Sequence, residues 1–370
     1  MDINPIGVAV PFFFLLIGIE YWALRRKQRS VRLNDAITDM SCGLGDQSMS
    51  LLVKGAVLIP YQLAYQHVGL FKMPTNEVWT WVFGFMAVDF CYYWYHRFSH
   101  RVNIGWATHS VHHQSEEYNL SVALRQPWFS QFFSWAFYLP LAALGLPLEV
   151  YVTSFAFNLL YQFWIHTETI DKMGIFEEVF NTPSHHRVHH GTNPEYLDTN
   201  YAGVFIIWDR FFGTFKREEA RVLYGTLKPL RSWNPIWANV GPWASLAALS
   251  RAQTSWADKV LVWFRPPEWT AGGAVDTASL FDGPERGYDR DDAKGVHWYI
   301  MLNLVLTGTC LGVLLTFEKS IESQWLYAGT GFVLLSLTVW AGLFEGRRWA
   351  WPLEGFRWAY LAVCAIVFFA

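Results

Sequence analysis

Charged residues and cysteines are both scarce in this chain. Only 16% of the 370 residues are charged, where a soluble globular domain normally has about 25%. The net charge of −3 lacks the basic excess of a nucleic-acid-binding protein, so no nucleic-acid partner is expected. The four cysteines are scattered and form no CxxC pair, which predicts neither a disulfide framework nor a thiolate metal site.

Apolar and aromatic residues are abundant where charged residues are few. Hydrophobic residues make up 52% of the chain, with 21 Trp, 17 Tyr and 29 Phe, a content suited to lipid-facing helices and interfacial belts. Apolar runs near the length of a bilayer crossing recur along the sequence. They lie at residues 5–24, 50–71, 78–95, 128–144, 150–165, 298–317, 324–344 and 355–370.

These runs predict an all-α, polytopic membrane protein. The segments 128–144 and 150–165 are short, so they either cross the membrane as a tight hairpin or enter and return. The first alternative gives eight transmembrane helices and the second gives six. The run 5–24 is too long for the apolar region of a signal peptide and has no small-residue cleavage site, so we expect a retained span.

Basic residues predict the orientation. Arg25, Arg26, Lys27 and Arg29 directly follow the first apolar run, and the positive-inside rule places them in the cytoplasm. The third run then ends on the cytoplasmic side, where the first histidine cluster begins. We therefore expect a multi-pass integral protein of the bacterial cytoplasmic membrane or the endoplasmic reticulum, with a histidine-rich site facing the cytoplasm.

Composition divides the chain into four predicted parts. Residues 1–75 form N-terminal transmembrane helices, and residues 76–216 form a core that contains the histidine clusters. Residues 217–297 are polar and rich in Pro, Trp and Arg, which indicates a cytoplasmic cap and linker. Residues 298–370 form C-terminal transmembrane helices.

Ten of the twelve histidines lie between residues 96 and 190. They occur as HRFSH at 96–100, HSVHH at 109–113, a single histidine in WIHTE, and SHHRVHH at 184–190. If these segments are helical, histidines three or four residues apart share one face. Adjacent histidines at 112–113 and 189–190 point in different directions, so each pair can serve two metals. An isolated histidine such as His67 or His297 is more simply a polar or surface residue.

The clusters predict a two-metal site with an all-histidine ligand set. Structural zinc sites are closed and usually contain thiolates, whereas four or five imidazoles for each of two metals leave an open position. Imidazole suits iron, zinc, copper and nickel alike, so the ligands alone do not select the metal. The candidate metal ligands are His96, His100, His109, His112, His113, His166, His185, His186, His189 and His190.

The three clusters resemble the histidine boxes of the fatty acid hydroxylase/sterol desaturase superfamily of membrane di-iron enzymes. The similarity continues through DFCYYWYHR, NIGWATHSVHH, YNLSVALRQ, YQFWIHTE, NTPSHHRVHHG and NYAGVFIIWDRFFGTF, over roughly residues 80–216. Within the superfamily, these motifs are most similar to the alkylglycerol monooxygenase family. That family carries Glu directly after the first box, where this chain has Arg101.

The resemblance implies two iron ions, O2 as co-substrate, and an oxidoreductase that attacks an unactivated C–H bond of a membrane lipid. It also implies an electron donor, either tetrahydrobiopterin or a ferredoxin/cytochrome system. The expected reaction is hydroxylation or monooxygenation of an alkyl or acyl chain, with cleavage of alkylglycerol ether lipids as one form. An enzyme of the sterol desaturase or sterol C-4 methyl oxidase type is the alternative within the superfamily.

Polar residues near the boxes supply further candidates. Ligating histidines generally donate their second N–H to a carboxylate or carbonyl, and we expect Glu168 and Asp171 to accept such bonds. Asn119, Arg125 and Gln126 are candidates for contact with the lipid head group. We expect the segment 198–214 to support the metal site structurally.

Two functions from other classes remain open on the sequence. A binuclear metallohydrolase of a lipid would also use a two-metal site, because paired metals activate water, and it would act without O2 or reductant. A metal transporter or sensor would carry histidines through its spans, whereas here they stop at the membrane boundary.

Overall fold

The computed structural model describes residues 5–29, 31–270, 273–274, 288 and 294–369, and its architecture is all-α. Besides helices, the described part has one antiparallel pair of two-residue strands, β1 (Trp269–Thr270) and β2 (Gly273–Ala274). The helices are α1 Pro5–Arg26, α2 Leu33–Val68, α3 Val78–Arg101, α4 Asn103–His109, α5 Gln131–Leu144, α6 Leu148–Trp164, α7 Pro183–His189, α8 Ile207–Phe212, α9 Pro235–Ala252, α10 Trp256–Leu261, α11 Lys294–Thr316, α12 Ser323–Phe344 and α13 Ala350–Phe369.

Three helices of the described part are long and apolar enough to cross a bilayer. They are α1, α11 and α12, each with at least 20 residues of high mean hydropathy. The remaining predicted spans correspond to α2, α3, α5, α6 and α13, which are shorter or contain charged residues. A total of six to eight crossings therefore stays a prediction.

Helix α2 differs from the sequence prediction. The sequence predicts a span that begins only at residue 50, but α2 continues unbroken through Leu33–Val68 for 36 residues. Its first half is buried although it is polar, since Asp35 and Asp39 are 2% and 1% exposed. Tertiary partners make this burial possible, as described below.

The two ends of the chain share one apolar core. Helix α11 packs against α1 and α2, and α12 packs against α2 and α13. Buried residues from these helices include Ile17, Ile37, Leu304, Val333 and Leu337. A second core lies between α2, α3, α5 and α6, around Tyr61, Val88, Tyr138 and Tyr151. The N-terminal and C-terminal parts of the predicted four-part division pack together in this core. The division itself stays a prediction.

A glycine in α2 permits a close approach between this framework and the segment that follows the second histidine cluster. A Cβ on Gly45 would lie 2.2 Å from the ring of Trp128, so only glycine fits there. The Trp128 indole N–H donates to the Cys42 carbonyl of the same helix at 2.8 Å. Helix α2 is thereby held directly against the segment that follows the second histidine cluster.

Candidate metal centre

The first two histidine clusters meet at the end of α3. His96 and His100 lie one turn apart near the end of that helix, on one face, and both are buried. The second cluster is helical only in part, because α4 ends at His109 and the chain continues as a 3-10 turn over Ser110–His113. The turn keeps His112 and His113 buried and separates the directions of their rings, whose planes are 88° apart.

The remaining histidines come from α6 and α7. His166 follows the end of α6 by two residues, and α7 carries the SHHRVHH cluster on a helix that starts at Pro183. Proline at the first helical position favours this start, since its missing N–H has no intrahelical partner there in any case. All the histidines of this cluster are buried.

Nine histidines form two groups. Within each group, the ligand atoms all lie within 4.8 Å of one another. That is close to the roughly 4.2 Å between two nitrogens on opposite sides of one transition-metal ion. The five-histidine group contains His96, His100, His109, His113 and His189, and the four-histidine group contains His112, His166, His186 and His190. Each adjacent pair, 112–113 and 189–190, is divided between the groups, as its diverging directions require.

Backbone carbonyl groups orient four of the rings. The Nδ1 atoms of His96 and His189 lie 2.7 and 2.9 Å from the carbonyl oxygens of Tyr201 and Thr199. A carbonyl can only accept, so each Nδ1 carries the proton and each Nε2 keeps its lone pair. His112 and His166 are held in the same way, by the carbonyls of Arg125 at 3.2 Å and Gln162 at 2.7 Å.

The lone pairs converge on one another. The Nε2 atoms of His112 and His166 are 3.2 Å apart, although both are deprotonated because each Nδ1–H is donated to a carbonyl. Two facing lone pairs at this distance repel each other unless a cation lies between them. The Nε2 atom of His186 lies 3.0 Å from that of His166 in the same group. The donor set therefore fits a metal ion in each group.

The protonation state of the rings also suits metal binding. Burial lowers the pKa of His112 to about 4 and that of His189 to about 3, because a charged imidazolium is poorly solvated in the interior. The neutral form, which binds metals, is thus the stable form of these two side chains at neutral pH.

A loop after α7 supplies two of the orienting carbonyls, and Asp209 and Asn200 shape it. The Asp209 carboxylate accepts from the backbone N–H groups of Tyr201 and Ala202, both at 2.8 Å. Asn200, at φ +56°, donates to the carbonyls of His185 and Lys216. The structural role predicted for the segment 198–214 is confirmed by these contacts.

Asp89 of α3 holds the next part of the same loop. Its buried carboxylate accepts from the N–H groups of Val204 and Phe205 and from the Trp208 indole, at 2.7–3.0 Å. The amide of Asn158 on α6 donates to it at 2.6 Å. One carboxylate thereby connects α3, α6 and the loop beneath the first histidine box.

Arg125 lies on the other side of the site, where it forms a buried network. Its guanidinium contacts the carboxylates of Asp39 and Asp35 at 2.9 and 3.4 Å and donates to the Val111 carbonyl at 2.8 Å. Because its own carbonyl orients His112, this residue connects α2 to the second histidine cluster. We expected it to contact a lipid head group, but at 2% exposure its guanidinium is committed to internal partners.

The other predicted polar site residues do not meet the histidines. Glu168 lies at the surface, where its carboxylate accepts from Arg29 at 2.7 Å and from the Tyr224 hydroxyl at 3.0 Å. Asp171 is exposed. The acceptor role expected of these two carboxylates is taken by backbone carbonyls at the four rings described above.

Asn119 and Gln126 make local contacts. Asn119 is buried and its side-chain oxygen accepts from the backbone N–H and the hydroxyl of Ser121. The Gln126 amide donates to the Ala123 carbonyl at 2.6 Å. Both therefore shape the turn after the second histidine cluster, and head-group contact by either stays a prediction.

His185 is the one predicted ligand that the structure does not place in either group. It is buried, and its ring lies edge-on against Phe215 at 5.2 Å between ring centroids. Its position outside the repeated i, i+3, i+4 spacing of the cluster already distinguishes it in the sequence.

Arg101 directly follows the first box and bridges two acidic residues. It contacts Asp198 and lies 3.0 Å from Glu268. Asp198 in turn lies 3.8 Å from Nδ1 of His100, so a carboxylate does stand beside this ring. The positive charge at position 101 is thus compensated next to the site.

Several residues that build the site were missed by sequence reasoning. Asp35, Asp39, Asp89, Asn200 and Asp209 all hold histidine-bearing segments through buried side chains. A signal existed for Asp89, since a carboxylate inside a predicted apolar span is costly unless it has partners. No such signal exists for the orienting carbonyls, because every residue carries one.

Comparison with known proteins places this geometry in a family. The fatty acid hydroxylase family profile matches residues 81–214, which include every histidine of both groups. Alkylglycerol monooxygenases of Xenopus tropicalis and Homo sapiens are 37% and 38% identical over 346 residues, covering 92% of this chain and 77% of their own lengths. The chain belongs to the fatty acid hydroxylase family.

A more distant relative acts on another lipid class by its name. The ornithine lipid hydroxylase OlsE of Rhizobium tropici is 30% identical over 135 residues, 36% of this chain and 41% of that protein. No solved structure is significantly similar to the chain. As a member of the fatty acid hydroxylase family, the chain is a membrane-associated oxidoreductase of lipids with a buried metal site.

Proposed function

We propose that the protein is an O2-dependent monooxygenase of ether-linked alkylglycerols, with two iron ions held by the two histidine groups. The observation that carries the proposal is the similarity to alkylglycerol monooxygenases over 92% of the chain. It extends well beyond residues 81–214, which the fatty acid hydroxylase family profile matches. Iron bound there would supply the redox chemistry for O2 activation, which no amino-acid side chain can supply.

The side chains have three tasks in this proposal. The four Nδ1–H donors hold imidazole lone pairs in place before metal binding, which lowers the cost of organising the site. Burial keeps the imidazoles neutral and limits access of water to the reaction. The apolar helices guide a flexible alkyl chain from the bilayer, while its polar end stays in the interface.

The chemistry of an ether lipid suits such a site. A C–H bond beside an ether oxygen is weaker than one in mid-chain. Insertion of one oxygen atom there, with the other reduced to water by two electrons and two protons, gives a hemiacetal. The hemiacetal breaks into a fatty aldehyde and a free glycerol hydroxyl without further help from the enzyme.

We also propose that the protein crosses the membrane several times and that the histidine site faces the cytoplasm. The cluster of basic residues after α1 supports this orientation. The electrons come from tetrahydrobiopterin or from a ferredoxin/cytochrome system in this proposal. Arg101 reverses the charge at a position where the alkylglycerol monooxygenase family has Glu. The electron donor is therefore tested separately from the lipid substrate.

The test supplies purified full-length protein with alkylglycerols, acyl lipids such as ornithine lipids, or sterols, each with pterin or with a ferredoxin system. We expect alkylglycerol turnover that requires O2, with the aldehyde trapped by reduction and carrying 18O from 18O2. Hydroxylation of acyl lipids without ether cleavage would favour the OlsE-like function. Turnover of sterols alone would refute the proposal, and cleavage without O2 would indicate a metallohydrolase.

A further inference from the structure

An exposed patch of aromatic and basic residues lies outside the metal site. Around the end of α9 and along α10, the side chains of Arg251, Trp256, Lys259, Val260, Trp263 and Phe264 surround an open cavity of about 350 Å³. Trp256, Phe264 and Val260 are 82%, 62% and 58% exposed. Large apolar side chains in such a cluster mark a surface that binds something. We call these six residues the α10 patch.

The charges of the α10 patch favour an anionic partner. Arg251 is exposed, and the Lys259 ammonium lies 4.9 Å from the centre of the Trp256 ring. Both residues line the cavity. The nearby acidic residue Asp258 is used locally, since its carboxylate accepts from the Ser255 hydroxyl at the start of α10. Basic residues beside exposed Trp and Phe are typical of elements that lie in the membrane interface.

Backbone contacts place the patch at the end of α3, which is one of the predicted spans. The carbonyls of Arg265 and Trp263 accept from the N–H groups of Asn103 and Ile104, both at 2.9 Å. These two residues follow the end of α3, whose earlier turns expose Val82 and Phe83. The patch therefore lies at the level at which α3 would leave the hydrocarbon.

We infer that the α10 patch inserts into the membrane interface and binds the phosphate of anionic phospholipid head groups. Trp256, Val260 and Phe264 enter the interfacial layer, and Arg251 and Lys259 contact the phosphate. It would place part of the predicted cap and linker, residues 217–297, in the membrane interface. It rests on the proposed membrane topology and not on the identity of the substrate.

Hydrogen bonds connect the α10 patch to the metal site. The segment that carries the patch hydrogen-bonds to the first residues of α4, and α4 ends at His109. The Asn103 side chain adds a further bond to the Val262 carbonyl at 2.8 Å. A lipid head group on the patch is thus connected through one short helix to a ligand of the five-histidine group.

The experiment attaches a nitroxide to V260C in the full chain, with Cys310 and Cys364 replaced by Ala, and reconstitutes the protein in bilayers. Collision with O2 reports the membrane interior, and collision with a water-soluble nickel chelate reports water. The reference position is E219C, which is exposed in a polar loop. We expect O2 collisions to dominate at position 260 and nickel collisions at position 219. Nickel collisions dominating at both positions would overturn the inference.

A second measurement tests the head-group contact. Adding phosphatidylglycerol to phosphatidylcholine bilayers should shift the label at position 260 towards O2, since each basic residue near an anionic surface contributes roughly fivefold to partitioning. R251Q/K259Q should abolish this shift, whereas R217Q/K228Q, with the same change of charge outside the patch, should retain it. If both double variants lost the shift equally, the attraction would come from the overall charge of the protein and not from the patch. That result would overturn the phosphate site. Neither measurement requires turnover, so each is independent of the proposed reaction.

Discussion

At the scale of single residues, the position of one proton decides what the imidazoles can do. Where Nδ1–H is donated to a backbone carbonyl, Nε2 must present its lone pair, and two such lone pairs face each other at 3.2 Å between His112 and His166. A cation bound between these two nitrogens would remove the repulsion between their lone pairs, which favours metal binding by this group.

His189 and His185 provide a matched test of the two groups. H189A should lower the bound metal well below two ions per chain, because it removes a predicted ligand in the five-histidine group. H185A alters an equally buried histidine of the same helix and should leave the metal content near that of the parent. The measurement is metal analysis of purified protein. Equal losses in the two variants would show that His185 is a ligand after all.

The lowered pKa values predict how the metal-free protein responds to acid. His112 and His189, with pKa values of about 4 and about 3, bind fewer protons when folded than in the unfolded chain, where histidine has a value of 6.5. Their contribution to stability is complete above about pH 6.5 and is lost towards pH 4, at up to about 1.4 kcal/mol per pH unit for each group.

Thermal unfolding of the metal-free protein in detergent measures this effect. The Tm should fall on acidification from about pH 7 to about pH 5, and H67Q, which alters an exposed histidine, should show the same fall. H112N should show a smaller fall. A Tm that stays constant over this range would contradict the assigned neutrality of the buried rings.

At the scale of elements, buried carboxylates connect helices to histidine-bearing loops. Asp89 joins α3 and α6 to the loop that orients His96, and Asp35 and Asp39 join α2 to Arg125. A buried carboxylate without a partner is costly. When it is paired with a cation or with N–H donors, it fixes one arrangement of the helices. The polar first half of α2 is buried for this reason.

Arg125 and Arg29 allow that cost to be measured. R125Q should destabilise the protein by about 3–5 kcal/mol, because two buried carboxylates lose their cation. R29Q breaks an ion pair with Glu168 whose side chains are 54% and 37% exposed, and it should cost no more than about 1 kcal/mol. Denaturation curves of both variants decide the matter. Similar values for the two would mean that the buried network contributes little.

At the scale of the whole molecule, the two ends of the chain enclose one core while the metal site lies among the connections. Helices α1, α2, α11 and α12 share the larger core, and the histidines come from the ends of α3, α4, α6 and α7. An apolar framework thus supports the loops that bring the nine histidines of the two groups together.

Introduced cysteines test the proposed orientation of the site in the membrane. Cysteines introduced at Glu195 and Glu219, both exposed on loops near the site, should react with an impermeant thiol reagent only from the cytoplasmic side. T75C, in the exposed turn between α2 and α3, should react only from the opposite side. The assay compares intact and inverted vesicles. Labelling of positions 75 and 195 from the same side would contradict the proposed crossing by α3.

The sequence by itself determined the side-chain chemistry of the site. The i, i+3, i+4 spacing selected eight of the nine grouped histidines, with the single His166 as the ninth. The adjacent pairs at 112–113 and 189–190 indicated that two groups can form, because neighbouring side chains on a helix diverge. Apolar runs indicated the all-α class, since period and length are local properties.

Only the tertiary structure decided which partners these side chains meet. Backbone carbonyls orient the rings, and every residue has one. No sequence motif therefore identifies the carbonyls of Thr199 and Tyr201 as the orienting groups. Glu168 follows the His166 ligand closely along the chain yet turns outward to Arg29. Arg125 turns inward to carboxylates about 90 residues away. Pairing over such distances depends on the path of the chain, which local sequence does not encode.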